Sequence, residues 1–175
     1  MAFKSTKWDQ RYLNIAREVA SWSKDPSSKI GAVAVGYWGQ ILSQGYNGFP
    51  RGIEDSEARL TDRAEKIKRV IHAEMNCIYN AARNGVDLKG ADVYVYGLPT
   101  CRECAKALIQ VGATRIIGAH STEVKVEWAE SHADAEEMFR EAGIPTYSYP
   151  ASYSVLSGYT NLEEYRLEGE KRGWE

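Results

Sequence analysis

How Ile71-His72-Ala73-Glu74-Met75-Asn76 enters its helix decides the fold of this chain. Residues 70–84 contain neither Gly nor Pro, and Gly85 stands where a helix ends on a left-handed residue. In a regular helix, residues two apart point roughly 200° apart around the axis. His72 and Glu74 can therefore face one point only if His72 lies in the entry to the helix and Glu74 in its first turn. The spacing predicts a helix starting at about His72. Ile78, Tyr79, Ala81 and Ala82 are expected to face a sheet, and Cys77 to be a small core residue.

Working outward, residues 91–96 form an apolar run read as a strand, broken by Gly97-Leu98-Pro99. Thr100 and Glu103 have the T-x-x-E spacing of a capping box. That makes Thr100 the N-cap, Cys101 the first helical residue and Cys104 its neighbour one turn on, in a helix ending at Gly112. Thiols at a helix N-terminus are favoured as thiolates by the dipole and the free N–H groups. Residues 114–119 read as a strand, 124–142 as a helix closed by Gly143, and 144–149 as a strand closed by Pro150. Upstream, Trp8, Tyr12, Ile15, Val19 and Trp22 form one stripe of a helix over residues 7–23. Residues 30–35 and 40–46 read as a hairpin around Tyr37-Trp38-Gly39. Gly45-Tyr46-Asn47-Gly48-Phe49-Pro50-Arg51-Gly52 reads as a shaped loop with close backbone approach. In residues 54–69, Asp62 and Glu65 cap a short helix, and the charge run reads as a solvated face.

This order, a helix and a hairpin followed by helix–strand repeats, predicts an α/β fold: a three-layer α/β/α sandwich around a five-stranded mixed sheet. The 175 residues suit one domain over residues 1–150, with residues 151–175 as an aromatic and charged extension of it. A net charge of −2 lacks the basic footprint of a polynucleotide-binding protein. No apolar run reaches the length of a membrane span, and no signal peptide is evident. Three cysteines, two of them in C-x-x-C, give no disulfide framework and point to a reducing cytoplasm.

His72, Cys101 and Cys104 form a candidate zinc triad. Three protein ligands leave the fourth position for water, as in catalytic rather than structural sites. A thioredoxin-like context for a redox C-x-x-C is lacking. The combination H-x-E with C-x-x-C marks zinc nucleobase deaminases. With Trp22-Ser23-Lys24-Asp25-Pro26, Ile30-Gly31-Ala32-Val33, Gly45-Tyr46-Asn47-Gly48-Phe49-Pro50 and Cys104-Ala105-Lys106, the chain resembles the deoxycytidylate deaminases of the cytidine deaminase superfamily. The resemblance runs from about Trp8 to Gly118. One departure is Thr100 standing between Pro99 and the first ligand cysteine, where the superfamily has Pro directly before it.

The resemblance implies one Zn²⁺ per chain on His72, Cys101 and Cys104, since the insert 52–71 has no Cys or His for a second. It implies Glu74 as proton carrier in the hydrolysis of dCMP to dUMP and ammonia. Alternatives are deamination of dCTP, methylated dCMP or cytidine, or a non-catalytic zinc-stabilised nucleotide sensor. The backbone of Ala73 and the side chain of Asn47 are implied to hold base and sugar. The phosphate needs a cation, for which Arg83, about three turns into the zinc-site helix, is the first expectation and Lys24 and Arg51 the next. The resemblance also implies dCTP and dTTP effectors, with Mg²⁺, at a loop including Gly48, Pro50 and Arg51. Relatives are commonly homo-oligomers, hexamers among them.

Overall fold

A computed structural model describes residues 6–121 and 125–152; the extension expected over residues 151–175 therefore lies largely outside the described residues. Helix α1 (Thr6–Ser21) leads into a hairpin of β1 (Gly31–Val35) and β2 (Ile41–Tyr46). Two short helices follow, α2 (Glu57–Thr61) and α3 (Arg63–Ile67), then α4 (Ala73–Arg83) and β3 (Asp92–Gly97). The chain continues through α5 (Arg102–Gln110), β4 (Arg115–His120), α6 (Val126–Glu141) and β5 (Thr146–Pro150). The sheet order is β2-β1-β3-β4-β5. β1 runs antiparallel to β2 and β3, whereas β3, β4 and β5 are parallel. The mixed five-stranded sandwich expected from the sequence is the architecture observed.

Strand alternation sorts the core into two layers. Ala32, Ala34, Val93, Val95 and Ile116 face α4, α5 and α6, where Cys77, Leu108 and Phe139 complete the cluster. Val33, Val35, Tyr94, Ile117 and Ala119 face the other way, onto Tyr12, Leu13, Ala16 and Val19 of α1. Each fully buried Leu, Ile or Phe among these contributes about 1.5–3 kcal/mol.

Two helix faces differ from expectation. On α1, Trp8 and Trp22 are about half exposed, and the buried stripe is Tyr12, Leu13, Ala16, Val19 and Ala20. The helix backbone lies directly on β1: a Cβ on Gly31 would stand 2.1 Å from the Ala16 carbonyl oxygen and 2.5 Å from the Ala20 nitrogen. Such contact requires small residues at the seam and pushes the indoles to the shoulders. On α4, the buried residues are Ala73, Glu74, Cys77 and Ala81, while Tyr79 is 48% exposed. The inward turn of Glu74 fixes the helix phase, and Tyr79 and Ala82 fall outside it.

Helix α4 ends as Gly85 requires. Gly85 has φ +67, its N–H donates to the Ala82 carbonyl, and the Val86 N–H reaches the Ala81 carbonyl. This is a Schellman closure, which returns the chain towards β3.

Candidate active site and metal centre

β3 ends beside the start of β1, since Gly31 pairs with Tyr96. α4 returns antiparallel to β3, so its N-terminus and that of α5 meet at this edge of the sheet. In parallel α/β architecture, the carboxyl ends of strands are where ligands bind.

His72 is the N-cap of α4, with extended backbone (φ −68, ψ 156). The helix thus starts where the geometric constraint on His72 and Glu74 required. Cys101 is likewise the extended N-cap of α5 (φ −87, ψ 165). Here the boundary differs by one residue from expectation: Thr100 is not the N-cap. No side chain of the local sequence caps α5; instead the Arg102 N–H donates to Ser131 Oγ of α6 at 3.1 Å. Thr100 is buried, and its carbonyl accepts from His132 Nδ1 at 3.0 Å.

His72 Nδ1 lies 3.3 Å from Cys101 Sγ and 3.4 Å from Cys104 Sγ. All three donor atoms fall within 4.8 Å of one another. In a tetrahedral zinc site with Zn–N ~2.1 Å and Zn–S ~2.3 Å, neighbouring N and S donors stand about 3.6 Å apart, within a few tenths of an ångström of both His72–Cys separations. The donor chemistry fits as well. Hydrogen bonds from Cys104 and His72 hold the Cys101 thiol down to about 3, against the opposing effect of burial. Cys104 is shifted upward, chiefly because it donates to Cys101 and is buried. A dication bound there would favour both sulfurs as thiolates.

Glu74 is 4% exposed. Burial raises its pKa, opposed by a backbone hydrogen bond and by the charge of His72. With His72, Cys101 and Cys104 it makes a compact site on two chain segments. Cys77, one turn further along α4, takes no part: it is buried in the core, and burial pushes its thiol up to about 11.

The site opens into a cavity of about 450 Å³, whose lining includes Asn47, His72, Glu74, Cys101, Trp128 and His132. Asn47 reaches this wall, but its amide is committed to the chain itself. Oδ1 accepts from the Ile30 N–H at 2.8 Å, and Nδ2 donates to the Ser28 carbonyl at 2.8 Å. Ala73 is fully buried beside Glu74 at the start of α4, where backbone N–H groups lack intrahelical partners.

Arg83, expected at the phosphate, sits in the last turn of α4, about 16.5 Å along the axis from His72 at 1.5 Å per residue. It does not line the cavity. Lys24 and Arg51 do not line it either: Lys24 pairs with Asp55 at 2.9 Å, and Arg51 donates to Asn80 Oδ1 at 2.7 Å. Gly48 and Pro50 also lie outside the cavity lining, though Gly48 is bridged to Ile71, next to His72.

The insert supplies what sequence reading missed. Arg63 and Lys66 of α3 line the cavity, as do Arg102 and Lys125. Lys66 donates to Asp25 Oδ1 and Ser27 Oγ, both at 3.0 Å, in a pair only 15% and 6% exposed. Asp62 caps α3 as expected, accepting from the Ala64 and Glu65 N–H groups. Among the described residues, no helix is long and apolar enough to cross a membrane.

Comparison with known proteins agrees with this geometry. Residues 6–120 match the family described as the cytidine and deoxycytidylate deaminase zinc-binding region. A deoxycytidylate deaminase of Mus musculus is 35% identical over 155 residues, covering 86% of this chain and 84% of its own length. An uncharacterized deaminase from the luxG 3′ region of Aliivibrio fischeri is 39% identical over 140 residues, 79% of this chain and 91% of that protein. The dCMP deaminase of cyanophage S-TIM5, solved in complex with dCMP and dUMP, superposes with a TM-score of 0.66 at 21% identity. That superposition covers 83% of this chain and 98% of the other, a likeness of fold.

Proposed function

We propose that this chain, which belongs to the cytidine and deoxycytidylate deaminase zinc-binding family, removes the 4-amino group of dCMP by hydrolysis, giving dUMP and ammonia. One observation carries the reading to this chain's own residues: one cavity is lined by His72, Cys101 and the buried carboxylate of Glu74, and Cys104 completes the metal-donor set beside them.

His72 Nδ1, Cys101 Sγ and Cys104 Sγ would hold one zinc ion. When bound, zinc supplies Lewis-acid activation of water near neutral pH. Glu74 carries the protons: its carboxylate takes one from the attacking water and gives it to ring N3, then takes the second from the new C4 hydroxyl and delivers it to the departing amine. A pKa raised by burial suits a group that must both accept and donate. The Ala73 N–H, free of intrahelical partner, holds the base. Asn47 acts one step further back, fixing the segment over residues 25–30 in the cavity wall.

The remaining expectations belong to the same reading. One deaminase domain covers residues 1–150, with residues 151–175 belonging to it. The chain acts as a cytoplasmic homo-oligomer, for which a hexamer is one arrangement. Triphosphate effectors, dCTP and dTTP with Mg²⁺, act at the turn of Gly48, Pro50 and Arg51. Two contacts support that site: the Gly48–Ile71 bridge joins the turn to the residue before His72, and Arg51 holds Asn80 on α4.

A nucleotide panel tests the proposal. Loss of cytosine absorbance is followed with dCMP, dCTP, methylated dCMP, deoxycytidine and cytidine, with and without added dCTP. The fastest turnover is expected for dCMP. Glu74→Gln is expected to keep zinc and lose turnover by roughly 10³-fold; full turnover in that variant removes Glu74 from the chemistry. Zinc bound without turnover of any pyrimidine nucleotide replaces the enzyme with a sensor.

A further inference from the structure

We propose that Arg63 and Lys125, which both line the cavity, form an anion clamp for the substrate's phosphate, the phosphate displacing Glu127 from Arg63. The proposal rests on the nucleotide reading above and extends it to residues that the sequence left without a role.

The cavity lining combines two kinds of chemistry. His72, Glu74 and Cys101 supply one. Arg63 of α3 and Lys125, the N-cap of α6, supply cations to the same lining. The two helices are joined by one ion pair, Arg63 Nη2 to Glu127 Oε1 at 2.9 Å. Glu127 stands two residues from Lys125, so the ion pair ties Arg63 to the start of α6, where the other cation of the lining is carried.

The four cations lining the cavity are not equivalent. Lys66 is locked on Asp25 and Ser27 in a nearly dry pair. Arg102 is paired with Asp134 at 2.8 Å. Arg63 and Glu127 keep 60% and 50% of their side-chain surface exposed, and a pair so well solvated is held weakly and exchanges readily. Lys125 has no carboxylate within ion-pair distance among the described residues; its ammonium lies 5.1 Å from the centre of the Trp128 ring. A carboxylate and a phosphate present the same paired oxygens to a guanidinium. The phosphate carries the larger charge and can meet both cations, whereas Glu127 satisfies one. The free N–H groups at the start of the sixteen-residue α6 add to the same field. A phosphate seated there ties the insert to α6 and closes that wall over the base.

The test compares zinc-loaded wild type with Arg63→Gln, Arg63→Lys and Glu127→Gln. Kinetic constants are measured on dCMP and on deoxycytidine, which lacks the phosphate. Arg63→Gln is expected to lower the ratio of kcat/KM for dCMP over deoxycytidine by roughly 30-fold, the worth of a charge-assisted contact, with Arg63→Lys restoring part of it. Glu127→Gln removes the competitor and is expected to lower KM for dCMP about 3-fold, the scale of an exposed ion pair. An unchanged ratio in Arg63→Gln, or a raised KM in Glu127→Gln, overturns the clamp. A wild type that turns over deoxycytidine faster than dCMP overturns the substrate reading instead. Calorimetric binding of dUMP then decides the clamp separately: weaker binding by Arg63→Gln supports it, and equal affinities sink it.

Discussion

Replacing Gly45 with alanine should damage both stability and the metal centre, by an amount that the packing of β2 on α4 sets. A Cβ at Gly45 would stand 2.2 Å from the Cys77 nitrogen, 2.6 Å from the Ala73 carbonyl oxygen and 2.6 Å from the Asn76 carbonyl carbon. All three are backbone atoms of α4, so no side chain can swing aside. Ordinary contact begins near 3.4 Å; relief therefore needs a separation of about 1.2 Å between helix and strand. Ser43, Asn76 and Asn80 resist it. Ser43 Oγ donates to the Cys77 carbonyl, Asn76 Nδ2 to the Tyr46 carbonyl and Asn80 Nδ2 to the Gln44 carbonyl, all at 2.7 Å. Overpacking of this kind costs about 3 kcal/mol, the upper end of the usual range. For a chain of this size that lowers Tm by roughly 6–12 °C. Because α4 carries His72 and Glu74, a displacement of ~1 Å at the reacting groups should also cut turnover by roughly 10²-fold. Differential scanning calorimetry, zinc stoichiometry and kcat on the purified variant read all three effects. A Gly45→Ala protein with Tm within about 2 °C of wild type and undiminished kcat would refute the packing account.

Other outcomes follow from the same contacts. With Ellman's reagent at pH 8, the zinc-loaded protein should show none of its three thiols, the chelated protein one, the half-buried Cys101, and the denatured protein three. Cys77, buried and pushed up to about 11, stays silent until unfolding; early labelling of Cys77 would count against its core position. Lys66→Met leaves the buried Asp25 without its cation and should cost about 2–4 kcal/mol in urea unfolding. Asp25→Asn in the same background should recover part of that loss, and strict additivity of the two changes would show that the pair is not coupled.

The elements were legible where chemistry and local geometry agreed. His72 and Glu74 could meet only at a helix entry, and this requirement placed the start of α4 within one residue. The glycines after α4, α5 and α6 marked their ends. The start of α5 was misplaced by one residue because its cap is tertiary. Ser131 lies 29 residues from the N–H that it caps, and no local pattern announces such a partner. The stripes of α1 and α4 were misjudged for a related reason: hydrophobicity ranks residues by size, whereas close backbone approach at Gly31 and Gly45 selects small ones. The phosphate site was the hardest part to read. Arg83 was chosen along one helix, yet cavity walls are assembled across segments. The cations that reach the cavity were hidden in a charge run indistinguishable from an ordinary solvated face.

Both metal-donor segments begin just outside their helices, at His72 and Cys101, 29 residues apart in the chain. An ion bridging them closes a covalent-like loop through α4 and β3. On the loop-entropy scale used for disulfides, a ring of about 30 residues disfavours the unfolded ensemble by about 3.6 kcal/mol at 25 °C. An extended N-cap can also turn towards an ion without unwinding the helix behind it. The metal centre is therefore a removable cross-link as well as a source of chemistry, and a cell short of zinc would be expected to lose this protein to unfolding as well as to inactivity.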